Sequence, residues 1–185
     1  MTAFGEERFR ELLDERGILR PGALAPLAPS TAYTVFVQRG NAVLDIGALK
    51  AHASRFFSAK LGLTVDKKYG QDLPATDAAR VVLATDDGSA SGTRLCFARP
   101  ARQPDHAAAE AAERAQGTSG MALLAQRCPT VWLVARETED DRVALTIAAI
   151  FASSMLGPIL SADADELFGV RTARLKLEGR TSPYR

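Results

Sequence analysis

Cys128 and His106 are the side chains from which a nucleophile and its base could be assembled, because the chain holds only two cysteines and two histidines. A thiol attacks as its thiolate, so it needs a lowered pKa, a base within reach and a third group to orient that base. Asp105 neighbours His106 in sequence, but adjacent residues on a helix point apart. Cys128 stands before Pro129 at the mouth of an apolar run, a setting in which cysteine also serves as a small hydrophobe. Cys96 falls inside a strand-like run and reads as core. His52 has no histidine or cysteine at helical spacing, so no metal-ligand set is predicted.

The segment Gly117-Thr118-Ser119-Gly120 is the nearest approach to an anion loop. Amides at a helix start, with hydroxyls beside them, can hold a phosphate or carboxylate. Here a helical pattern precedes the glycines and no lysine follows, so a helix break capped by Thr118 or Ser119 fits the same residues. Lys50, Arg55, Lys60, Lys67, Lys68 and Tyr69 form a basic strip with one aromatic, and it gathers every lysine but one. Such a strip suits an acidic partner or, more weakly, nucleic-acid phosphate. The balance of 23 basic against 22 acidic residues argues against a large nucleic-acid or membrane-surface footprint.

The acidic groups Asp86-Asp87, Glu137 to Asp141 and Asp163-Ala164-Asp165-Glu166 sit where turns are expected and match no EF-hand spacing. No dinucleotide fingerprint, P-loop, zinc-protease helix or nucleophile elbow occurs. These patterns name no cofactor and no substrate.

The elements that must position these groups follow from periodicity. Residues 6–16 carry Phe9, Leu12 and Leu13 at helical spacing, and Arg20 to Ser30 is a proline-stiffened connector that could let this helix dock separately or on a neighbouring subunit. The chain thus divides into 1–30, a helix and connector, and 31–185, a single domain. AYTVFVQ reads as a strand, and Ala42 to Leu44 as a short return strand. Asp45 caps a helix whose stripe of Ile46, Leu49, Ala53, Phe56, Phe57 and Leu61 runs to Gly62. ARVVLAT and TRLCFAR, joined by DDGSASG, form a hairpin. Helices are expected at 105–115 and 121–127, a strand at TVWLVAR, and an apolar helix from 141 to 156, buried rather than membrane-spanning. VRTARLKLE, 170–178, reads as a final strand.

The fold expected is α+β: a mixed or antiparallel sheet of four to five strands with helices on one face. Its order is ferredoxin-like (split βαβ), with an appended helix and strand and the N-terminal helix. The N-terminal residues carry no apolar run of the kind that forms a secretory leader. Abundant Ala and the preference for Arg over Lys suggest a GC-rich, bacterial-type coding bias. The function expected is a cytoplasmic small-molecule- or protein-binding module, with self-association among its partners. A small enzyme or cofactor-binding protein with a pocket near Cys128, His106 and the Thr118-Ser119 turn is the alternative. A nucleic-acid binder acting through Lys50 to Lys68 is the weaker third.

Overall fold

The computed structural model describes residues 15, 32–40, 44–65, 78–85, 90–117 and 119–179. The helix expected at 6–16 and the connector at 20–30 lie outside the described residues, apart from Glu15 in an exposed turn. The strands are β1 (Ala32–Val37), β2 (Ala59–Val65), β3 (Ala78–Thr85), β4 (Ser91–Pro100), β5 (Thr130–Ala135), β6 (Ile159–Leu160) and β7 (Leu167–Phe168). The helices are α1 (Ile46–Phe57), α2 (Gln103–Gln116), α3 (Met121–Gln126), α4 (Arg142–Met155) and α5 (Val170–Leu177). All seven strands join one sheet in the order β2-β3-β4-β5-β1-β6-β7, and every neighbouring pair is antiparallel. This is α+β, with more strands than expected and a different order. In a split βαβ unit one strand separates the two that a helix joins. Here three strands separate β1 from β2, while β4 and β5, joined through α2 and α3, are direct neighbours.

Period-two alternation divides the sheet into two faces. Val35, Val37, Cys96, Ala98, Trp132 and Val134 enter the larger core, together with Leu49 and Ala53 of α1, most of α4, and Ala173 of α5. Phe36 and Val131 turn the other way and meet Ala109, Ala112, Ala122 and Ala125 of α2 and α3. Helices therefore cover both faces, which corrects the one-face expectation. The reason lies in the strands: β1 and β5 are buried nearly throughout, so both of their faces need cover.

Helix α4 is the centre of the larger layer, with Val143 through Ala152 buried without interruption. A helix apolar on all sides belongs inside, and full burial of Ile147, Ile150 or Phe151 contributes roughly 1.5–3 kcal/mol each. Asp141 starts it by accepting a hydrogen bond from the Ala144 amide at 2.9 Å. It ends at Leu156 in the left-handed region (φ 57°), and Gly157 then passes so close to β1 that a Cβ there would lie 1.8 Å from the Phe36 carbonyl oxygen. Among the described residues no helix is long and apolar enough to cross a membrane.

Two sequence expectations change. The second helix stops at Phe57 rather than Gly62, and Ala59 to Val65 become β2, because Ser58 takes a left-handed conformation (φ 47°). Of the return strand expected at 42–44, Ala42 and Val43 lie outside the described residues, and Leu44 is in no strand. Residues 170–177 form a helix, not a strand. Their Ala173, Leu175, Leu177 alternation misleads, whereas Val170, Ala173 and Leu177, which pack on the core, fall at three- and four-residue steps.

Candidate functional site

An exposed basic face is built where α1 meets β2. The Asp45 carboxylate accepts from the Ala48 amide at 2.9 Å to start α1, and the Ser58 amide donates to the Ala53 carbonyl to end it. A single residue, Ser58, separates the helix from β2, so the helix face and the strand are fixed to one another. Leu49 and Ala53 face the core. Lys50, Ser54, Arg55 and Phe56 are exposed, as are Lys60 and Gly62 on the strand. The Arg55 guanidinium lies over the Phe56 ring, 5.2 Å from its centroid, an arrangement that holds the cation in place. Lys67, Lys68 and Tyr69, the rest of the predicted strip, lie outside the described residues.

Strand β2 is also the last strand of the sheet on this side. It pairs with β3 along its whole length, Ala59 opposite Thr85 through Val65 opposite Ala79. Among the described residues no strand lies beyond it. His52 lies beside this surface. Its Nδ1 shares a hydrogen bond of 2.9 Å with Ser153 Oγ of α4, and its ring packs 5.3 Å from that of Phe56. It ties α1 to the central helix.

Cys128 and His106 both lie on the other side of the sheet. The Cys128 thiol is buried and donates to the Leu124 carbonyl at 3.2 Å, and burial pushes its pKa up to about 11. That is the opposite of an activated nucleophile. The His106 ring stacks on Phe36 with centroids 5.9 Å apart, and its buried Nδ1 has no hydrogen-bond partner among the described residues. Cys96 is fully buried, and burial likewise raises its pKa.

The Gly117–Gly120 segment carries an anion from the chain itself. Glu113 Oε1 accepts from Ser119 N (3.2 Å), Ser119 Oγ (2.6 Å), Met121 N (2.6 Å) and Ala122 N (3.3 Å). The hydroxyl of Ser119 and these amides hold the carboxyl below its ordinary pKa, against the effect of burial. Gly117 and Gly120 adopt positive φ of 97° and 82°, which glycine allows without strain. Thr118 lies outside the described residues.

Two buried arginine–carboxylate forks were not visible in the sequence. Arg94 grips Asp141 through Nε (2.7 Å) and Nη2 (2.9 Å) and reaches Glu137 at 3.2 Å. Arg99 holds Asp105 through Nη1 (2.6 Å) and Nη2 (2.7 Å), and the same carboxylate accepts from the Arg102 amide at 2.8 Å. Both acids serve helix starts rather than chemistry. Of the remaining acidic groups, Asp163 pairs with Arg136 and Glu166 with Lys176, and Asp86 and Asp87 lie outside the described residues. Among the described residues no three His, Cys, Asp or Glu side chains gather closely enough to hold a metal ion. Compared with models of protein families, with curated proteins and with solved structures, the chain matches none.

Proposed function

We propose that this chain is a protein-binding module whose recognition surface is the corner formed by α1 and β2. The observation that carries this reading is the seven-residue strand β2, unpaired on its outer side among the described residues and joined by one residue to the exposed Lys50, Arg55 and Phe56 of α1. An open strand edge invites another chain, and charge beside it selects which chain. Two free, buried cysteines fit a reducing, cytoplasmic setting.

A photo-reactive residue placed at exposed Ala51 on α1 should form adducts with partner proteins in cells, and one at exposed Leu123 on α3 should not. Lys50→Glu combined with Arg55→Glu should lower the yield at position 51 by about fivefold to tenfold, as paired charge reversals do, with the melting temperature unchanged. Undiminished adducts in the double variant overturn the reading.

The second reading, a small polar ligand beside His106, is favoured by the unpartnered buried Nδ1. It predicts a mass difference between native and denatured spectra of the purified protein that His106→Ala abolishes. The burial that raises the Cys128 pKa supports binding over nucleophilic chemistry in this second reading.

A further inference from the structure

We draw no further inference here: the strongest candidate, the pair of buried atoms Arg99 Nε and His106 Nδ1 at the first turn of α2, unpartnered among the described residues, belongs to the His106 site already described, and nothing among those residues shows what would occupy it.

Discussion

Asp141 shows how much one carboxylate does in this molecule. It caps α4 through Ala144, accepts from the Glu137 amide at 2.9 Å, and receives both sides of the Arg94 fork. Its side chain is 1% exposed and that of Arg94 10%. Removing the charge leaves the buried Arg94 guanidinium with only the partly exposed Glu137 carboxylate, at 3.2 Å, so Asp141→Asn should cost about 2 kcal/mol in urea unfolding.

The pH dependence follows from the same bonds and from the Arg99–Asp105 fork. Burial opposes ionisation of both carboxyls, and the arginine and amide hydrogen bonds overcome it, so both pKa values fall below the ordinary value when the chain folds. A folded-state pKa below the unfolded one gives stability that is complete above the unfolded value and disappears as pH falls through the folded value. The melting temperature should hold from pH 7 to about 5 and drop below about 4, the ordinary carboxylate range. Asp141→Asn should start lower and fall less steeply in acid. A slope equal to that of the parent would show that Asp141 does not carry the effect.

Little of this was legible from residue types alone. The 137–141 turn reads as acidic and cap-forming, which it is. Its arginine, however, comes from a strand 47 positions away, and nothing local marks that distance. Glu113 likewise reads as one more acid on an alanine-rich helix, although its carboxylate occupies the amides of the apparent anion loop.

At the level of elements, the informative error is the boundary between α1 and β2. Leu49, Ala53, Phe57 and Leu61 continue a helical stripe, and Ala59, Leu61 and Leu63 begin a strand alternation, so Leu61 satisfies both patterns. What decides is Ser58, held at φ 47° and ψ 41°. Serine is not a residue whose type announces a left-handed cap. Where the punctuation was explicit, as with the Asp45 cap, the DDGSASG hairpin connection and Pro129 before β5, the elements formed close to where they were expected.

Only glycine adopts left-handed backbone freely. Ser58→Gly should therefore leave the fold unchanged and raise stability by about 0.5 kcal/mol, with Ser58→Val losing more than 1 kcal/mol as a β-branched residue is forced into that region. Equal melting temperatures for the two variants would show that the turn is not set by this residue. The boundary also moves Lys60 from a helix face onto β2 and joins that strand to α1 through one residue.

For the whole molecule, a single sheet shared by two helical layers implies that the layers unfold together. The two cysteines make this measurable, because Cys96 lies in the larger core and Cys128 in the smaller one. Both are buried and unpaired. Burial raises the pKa of each, so neither should react appreciably with a thiol reagent at neutral pH while the sheet is intact. Single-cysteine variants Cys96→Ala and Cys128→Ala then report one layer each, and the lone tryptophan, Trp132, packed edge-on against Phe151 of α4 at 5.4 Å, reports the larger layer by fluorescence. In a urea series, with each variant compared at equal stability, labelling of the remaining thiol should track the loss of Trp132 fluorescence with one midpoint. Early labelling of Cys128 would instead show that α2 and α3 open on their own. That result would separate the smaller layer from the α1–β2 corner, since α1 packs on the face opposite Cys128. A single midpoint places β2 in the same cooperative unit that buries α4, so a substitution in β2 would destabilise the whole sheet rather than one hairpin.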